Sequence, residues 1–376
     1  MHKLVQALPA IPVLLSGSCG GRSVFEAPPD ERRFENGPSL SAPISNESTS
    51  LDPAIHIGAA ASEGFCTVHQ SGKARCWGLV NDVGPGDGSE VKIGTVVPPT
   101  TVFGIEDARA VAAFVEQVCI LHQSGRVSCW GWSHHSQLGE TVPNYEGKTA
   151  VPLMLPHVEH VVQLASGHHH VCAVFEGGRV GCWGGPYSKS LGVPGVRETK
   201  LAVDPGLTGV SEVSASIEST CAVAAGRVYC WGDAIVGDGT GQKHDTPAPA
   251  LVDDALHVAA GSQHTCALHE DGHVSCWGSW KGTTRESTYS PTRVDGLDHA
   301  RQIATGYAAT CALRDSGTIA CWAWHGAPSG GSVDVATIHD AVEIAVSEES
   351  ACAVRRSGRV ACWTKDGDVH EVQWLP

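Results

Sequence analysis

Fourteen of the fifteen cysteines in this chain come in couples nine or ten residues apart: Cys66/Cys76, Cys119/Cys129, Cys172/Cys182, Cys221/Cys230, Cys266/Cys276, Cys311/Cys321 and Cys352/Cys362. Three chemistries are open to such couples: metal ligation, burial as free thiols, or a disulfide. Metal ligation is disfavoured, because no C-x-x-C occurs and no couple has a third and fourth ligand close in sequence. Seven buried free-thiol couples would suit a reducing compartment, seven disulfides an oxidising one, and the regular pairing favours the disulfides. The fifteenth, Cys19, stands alone.

Other residues with chemical potential recur in phase with the cysteines. Three positions before each first cysteine stand Glu63, Glu116, His169, Glu218, Gln263, Ala308 and Glu349. In a ring of repeats these positions share one rim, so Glu63, Glu116, Glu218 and Glu349, with Glu348 alongside, are expected to form an acidic collar attracting a basic partner. The plain alternative is that turns between strands are wet and charged. The segments after each Cys-Trp differ most between copies. They carry Trp132, His134, His135, Tyr187, Trp280, Trp324 and His325, residue types that anchor binding hot spots when set on loop tips. Some of them are equally suited to capping strand ends.

Enzyme templates do not fit. Neither G-x-S-x-G nor H-E-x-x-H occurs, and "YEGKT" (145–149) resembles the end of a phosphate loop but has Val142 where the first Gly belongs. His168-His169-His170 reads as variable residues preceding Cys172 rather than as a metal site. No catalytic residue, cofactor or resident metal is expected.

The elements that must position these residues are hairpins. In "TCALHEDGHVSCWG" (265–278), pairing Cys266 with Cys276 sets Leu268 opposite Val274 and leaves Glu270-Asp271-Gly272 as a three-residue loop whose last position suits Gly. Gly72, Gly125, Gly178, Gly317 and Gly358 recur there. The fourth copy is one residue shorter and must turn on Ala225-Gly226. The residues two positions inward from the cysteines are apolar in every copy, and the opposite face is mostly small, as in Ala173/Gly181 and Ala312/Ala320. Such a sheet can stack closely on both sides. Two more strand-like segments precede each hairpin, "PTRV" (291–294) and "ARQIATG" (300–306) in the sixth copy, so the unit has four strands. First cysteines lie 53, 53, 49, 45, 45 and 41 residues apart, a spacing suited to propeller blades. The first unit lacks a leading strand, and "DVHEVQWLP" follows the last Cys-Trp. Val369–Leu375 is therefore expected beside Ile55–Ala60, closing the ring inside the first blade.

The chain of 376 residues carries a formal net charge of −15, with 44 Gly and 21 Pro. That balance argues against general nucleic-acid binding, because the protein would repel phosphates; no apolar run is long enough for a membrane-spanning helix. "MHKLVQALPAIPVLLSGSCGG" has a basic start, an apolar middle and small residues before Cys19, and reads as a secretion signal. It resembles a bacterial lipoprotein signal, which implies lipid on Cys19, although Ser16 stands where such signals usually carry Leu. Residues 1–19 are thus expected as a signal and 20–52, rich in Pro, Ser and charge, as a flexible tether. Residues 53–376 form the repeat domain.

"VAAGSQHTCALHEDGHVSCWG" (258–278), "LASGHHHVCAVFEGGRVGCWG" (164–184) and "IATGYAATCALRDSGTIACW" (303–322), with the fragments "SQLGE" (136–140) and "VGDGTG" (236–241), resemble the repeat of the RCC1-like (regulator of chromosome condensation) family. The resemblance covers roughly 54–376. It implies an all-β fold, a seven-bladed β-propeller of four-stranded antiparallel blades. That family includes nuclear exchange factors for a small GTPase and a secreted bacterial inhibitor of β-lactamases. No exchange-site residue can be matched to a position here. The expectation is an exported, non-catalytic, monomeric binding or scaffold protein of the cell envelope. It would recognise a protein or cell-surface ligand, bind no nucleic acid and meet the membrane only through a lipid anchor. The alternatives are an inhibitor of a secreted enzyme, an exchange factor, or a propeller hydrolase or lyase.

Overall fold

The computed structural model describes residues 52–60, 63–79, 83–92, 94–141, 147–185, 189–279, 287–307, 309–322, 332–335, 337–348, 350–364 and 368–374. The expected signal, Cys19 and the tether up to Leu51 lie outside these residues, as do Tyr187, Trp280, Trp324, His325 and Glu349. No helix among the described residues is long and apolar enough to cross a membrane.

Seven four-stranded antiparallel sheets make a seven-bladed propeller, and in each the four strands follow in chain order. Blade 1 runs through Ala54–Ala60, Glu63–His69, Ala74–Leu79 and Val96–Thr101; blade 7 through Ala341–Val346, Ser350–Arg355, Val360–Thr364 and Val369–Glu371. The first strand of every blade lines a central channel. The outermost strands include Val96–Thr101, Lys148–Met154, His244–Pro249 and Thr288–Arg293, and each of these contains Pro. An edge strand tolerates a residue that cannot donate to a ladder on both sides.

This order corrects two expectations. The segment containing "PTRV" pairs back on Val274–Gly278 as the last strand of blade 5 and does not lead blade 6. Likewise Val369–Glu371 pairs with the Cys362 strand as the last strand of blade 7, so the ring is not closed by a C-terminal strand in blade 1. The physical reason is that the Cys-Trp strand still has a free ladder edge after the hairpin forms, and the next extended segment satisfies it. Beyond that strand the indole of Trp374 reaches blade 1, edge-on to Trp77 at 5.4 Å.

The expected sulfur pairing is the one the structure holds. Cys66 is bonded to Cys76, Cys119 to Cys129, Cys172 to Cys182, Cys221 to Cys230, Cys266 to Cys276, Cys311 to Cys321 and Cys352 to Cys362. In every couple the two residues stand directly opposite one another on the middle strands of a blade, with Cα atoms 4.0–4.1 Å apart.

Closure is achieved by packing repeated at every junction. Cysteines and their inward neighbours point to one face, which packs on the next blade. Cys119, Leu121, Val127 and Cys129 of blade 2 form one core with Val171, Ala173 and Trp183 of blade 3. Cys352, Val354, Val360 and Cys362 of blade 7 do the same with Ile57, Phe65 and Trp77 of blade 1. Each hairpin Gly carbonyl also accepts the first N–H of the next blade. Gly72, Gly125, Gly178, Gly226, Gly272 and Gly317 serve Ala108, Val161, Val210, Ala255, Ala300 and Ala341, and Gly358 serves Ala54 at 3.0 Å to complete the circle. The short fourth hairpin turns, as expected, on two residues with positive φ, Ala225 at 50° and Gly226 at 78°.

The Gly-rich loops have a second joining role. Gln137, Ser190 and Ile235, each two residues before a loop Gly, accept the indole N–H of the next blade's Trp183, Trp231 and Trp277 at 3.1, 2.8 and 3.0 Å.

Gly358 makes the seam testable. Its φ is +76°, and a Cβ there would sit 2.1 Å from Pro53 Cβ and 2.7 Å from Pro53 Cα. Gly358→Val is expected to cost about 3 kcal/mol or more by combining a clash with backbone strain. At Gly206, with φ +88° and nothing within 4 Å of a Cβ, the same change carries only the strain, about 1–2 kcal/mol. Urea unfolding of both variants checks the difference.

Candidate functional site

Two places gather polar chemistry: the channel wall and the rim where blade 2 meets blade 3. The paired cysteines belong to neither. Cys76, Cys182, Cys230 and Cys321, on the third strands of blades 1, 3, 4 and 6, are buried at 2, 0, 1 and 5% exposure, as deep as their partners Cys66, Cys172, Cys221 and Cys311 at 2, 0, 1 and 0%. These sulfurs brace the blades and are closed to solvent chemistry.

The channel encloses about 360 Å³. The third residue of each lining strand forms a belt: His56, Ala110, Gln163, Glu212, His257, Gln302 and Glu343. Six of the seven are polar, and each polar one is engaged with an adjacent blade. Gln163 donates to Val213 O (2.8 Å) and accepts from Val213 N (3.0 Å); Gln302 makes the same pair of bonds with Ile344. His56 Nδ1 is 2.5 Å from Glu343, and its Nε2 donates to Val111 O. His257 is bonded to Glu212 through Nδ1 and to Ile303 O through Nε2. Burial opposes charge on both imidazoles, but the adjacent carboxylate and the carbonyl outweigh it and raise both above the ordinary histidine value. Sequence reading missed this belt. Its signal was one position per repeat, the third residue of the strand before each hairpin, holding polar residues of matched reach.

At the rim, several residues singled out from sequence come together. Trp132, His134 and His135 follow the Cys-Trp-Gly of blade 2, and Glu116 and His169 occupy the repeated position three before a cysteine. That position is fixed by its backbone: Glu116 O, His169 O, Glu218 O and Gln263 O accept the N–H of Trp132, Gly185, Asp233 and Ser279 at 2.8–2.9 Å. Its side chain is thereby free to vary. Glu116 uses that freedom to meet His169 Nδ1 at 3.0 Å across the blade junction. Buried Gln137 donates to the same carboxylate at 3.2 Å and accepts His135 N at 2.8 Å, holding the loop and Glu116 together. An aromatic chain extends outward. His168 stacks on His169 (3.8 Å), His135 meets His169 edge-on (4.4 Å), and Trp132 stacks on His134 (4.5 Å) beneath the Lys148 ammonium.

The electrostatics of the rim follow from this crowding. Burial first, then mutual repulsion with His169, lowers His168 to about 4; burial and the same neighbours lower His135. Burial works against the Glu116 carboxylate, but His169, His168 and His134 overcome it and hold Glu116 below the usual glutamate value. At neutral pH the site therefore presents an ionised Glu116 carboxylate beside a neutral His168. Glu116, His168 and His169 offer one ligand atom each, all within 4.8 Å of one another.

Of the expected acidic collar, three side chains are described, and Glu348 is exposed at the channel. Glu116 is turned into the blade 2–blade 3 junction by His169, whereas Glu218, two blades on, is exposed. The Glu63 side chain and all of Glu349 lie outside the described residues.

Two segments match the sequence profile of the regulator of chromosome condensation (RCC1) repeat, residues 124–174 and 256–279. The chain thus carries RCC1 repeats. It is 29% identical over 273 residues to the E3 ubiquitin-protein ligase HERC2 of Mus musculus, an alignment covering 64% of this chain and 5% of that protein. Protein pim1 of Schizosaccharomyces pombe is 25% identical over 220 residues, covering 49% of this chain and 40% of pim1. The secretion-regulating guanine nucleotide exchange factor of Bos taurus is 28% identical over 203 residues, covering 46% and 43%. The chain spans less than half of each of these relatives. Among solved structures, human WBSCR16 superposes with a TM-score of 0.69 at 17% identity, covering 82% of this chain and 88% of that one. Prp20p from Saccharomyces cerevisiae gives 0.64 at 17%, covering 83% of each. Both likenesses are of fold.

Proposed function

We propose that this chain is an exported, non-catalytic scaffold that recognises a protein or surface ligand through the rim at the blade 2–blade 3 junction. The observation that carries the reading is the convergence of Trp132, His134, His135, Glu116 and His169 on a stiff, disulfide-braced frame. Rigid aromatics beside one charge are what a binding hot spot requires. Seven hairpin disulfides support an oxidising compartment, and lipid on Cys19 would hold the protein at an envelope membrane. The charge of −15 disfavours nucleic acid as the partner.

The channel belt supports a non-catalytic role. The convergent acid and base groups that a hydrolase would need are present as His56 with Glu343 and His257 with Glu212. Both nitrogens of each imidazole are already committed, to a carboxylate and to a backbone carbonyl. Neither ring keeps a lone pair for general-base work. An exchange activity like that named for the bovine relative belongs to a reducing compartment and is not carried over.

The test is photo-crosslinking from a probe beside Trp132 in the native host, followed by affinity measurement with the partner so identified. Trp132→Ala combined with His134→Ala is expected to weaken that complex about 30-fold, the scale of a hot spot worth about 2 kcal/mol. Unchanged affinity in a folded double variant would overturn the assignment. A one-to-one complex with a secreted enzyme that loses activity would identify the scaffold as an inhibitor.

A further inference from the structure

We infer that Glu116, His168 and His169 form a binding site for a borderline divalent transition ion, with zinc as the fitting metal. The donor set is two imidazoles and one carboxylate. Zinc takes this combination in sites that hold it by three protein ligands and leave a fourth position open.

Three observations carry the assignment. The three ligand atoms lie within 4.8 Å of one another, and Glu116 Oε2 and His169 Nδ1 are 3.0 Å apart. A tetrahedral zinc with ligands at about 2.0–2.1 Å has donor–donor edges of about 3.3 Å, so one edge is nearly in place, and His168 must turn from its stack on His169 and draw in. The supporting groups are also built. Gln137, fully buried, donates to Glu116 Oε2 while its own carbonyl caps Trp183, which fixes the carboxylate from the blade 2 side. Outer hydrogen bonds of this kind orient metal ligands. Finally, the ligands come from two blades: Glu116 precedes Cys119, and the histidines precede Cys172. Two neighbouring disulfide-braced hairpins thus set the distance between them, and ligand placement costs little ordering on binding.

Half-exposed His168 places the site at the surface, beside His135. The inference does not depend on the partner reading, because it concerns the free chain.

The experiment uses the full oxidised chain without a polyhistidine tag. Zinc chloride alone is titrated by calorimetry at pH 7.5, and cobalt(II) chloride is added in parallel as a spectroscopic probe of low-coordinate nitrogen and oxygen ligation. One zinc per chain is expected, at micromolar affinity or tighter, with a cobalt visible spectrum of a four- or five-coordinate site. Glu116→Gln and His168→Asn are each expected to weaken zinc binding at least about 10-fold and to abolish that spectrum. His273→Asn, on a distant hairpin, should change nothing. Circular dichroism and the melting curve confirm that the variants fold, which is expected because Glu116 and His168 are only partly buried. Absence of saturable binding up to 100-fold excess zinc, or zinc binding unchanged in both folded variants, would overturn the site.

Discussion

Reducing all seven disulfides is expected to unfold this protein. Each closes a hairpin whose cysteines are nine or ten positions apart, a loop for which the chain-entropy account gives about 2–3 kcal/mol. Seven together reach roughly 15–20 kcal/mol, beyond the ~5–15 kcal/mol by which domains are usually stable. The strands offer little to compensate. Ala is the commonest residue of the blade 6–blade 7 core, and Ala and Val together make up most of the blade 4–blade 5 core, side chains with small apolar area to bury. Reduction also leaves fourteen thiols inside cores where the bonded cysteines are now 0–5% exposed. Far-ultraviolet circular dichroism with increasing phosphine reductant should show loss of the sheet signal at room temperature. A single deletion, Cys119→Ala with Cys129→Ala, is expected to leave a folded ring destabilised by about 2–4 kcal/mol, from the lost cross-link and the lost packing. A reduced chain melting within a few degrees of the oxidised one would show that packing alone specifies the fold.

Acid is expected to destabilise the protein from pH 6.5 downward, well before carboxylates titrate. His170 and His264 occupy the same place in blades 3 and 5, two residues before the first cysteine, and each reaches a threonine of the next blade, Thr220 at 2.9 Å and Thr310 at 2.5 Å. Burial holds both far below the ordinary value, His170 to about 3 with help from His169 and His168, and His264 to about 4. The folded chain keeps these rings neutral, whereas the unfolded chain protonates them below about pH 6.5. Their stabilising contribution is therefore complete above pH 6.5 and is lost progressively as pH falls toward 3–4. Each ring costs about 1.4 kcal/mol per pH unit in that window, so the two together remove about 4–5 kcal/mol by pH 4.5. His56 and His257 do not offset this loss, because their raised values make their contribution complete below pH 6.5 and lost only as pH rises through them. Glu116 adds to the acid loss as pH falls through its lowered value. The control lies in the chain itself: blade 2 has Gln117 at the corresponding position, donating to Ser166 Oγ and Gly167 O. His170→Gln with His264→Gln should roughly halve the slope of unfolding free energy between pH 6.5 and 4.5 in urea titrations.

What was legible in the sequence was whatever local spacing fixes. A ten-residue interval, a turn Gly and strand alternation determine the register of a hairpin, and Cys266 opposite Cys276 with Leu268 opposite Val274 follow from them. Blade number came from counting the same signal. Blade phase did not, because the outer strand is joined by loops of variable length and its choice of partner depends on which ladder edge remains free. The prolines of "VVPPTT" and "HDTPAP" do mark edge strands, but an edge can belong to the preceding or the following sheet. At the rim, Trp132, His134 and His135 were legible as aromatics on the segment after the Cys-Trp-Gly of blade 2, where the structure leaves them half-buried. The contact of Glu116 with His169 was not, since it joins positions 53 residues apart through the junction of two blades. The channel belt was hidden for a related reason: a His, Gln or Glu within a strand becomes informative only beside the partner that the next blade supplies.

Each sulfur bridge is confined to its own hairpin, and none of the seven crosses from one blade to another. Peptide cleavage at a hairpin tip therefore leaves one covalent molecule, since the bridge spans the cut. Cleavage in any segment linking two blades severs the chain into pieces that only packing and hydrogen bonds keep in the ring. Susceptibility to peptidases is thus set by the segments outside the bridged hairpins, among them residues 133–141, which follow the third strand of blade 2 and are spanned by no bridge.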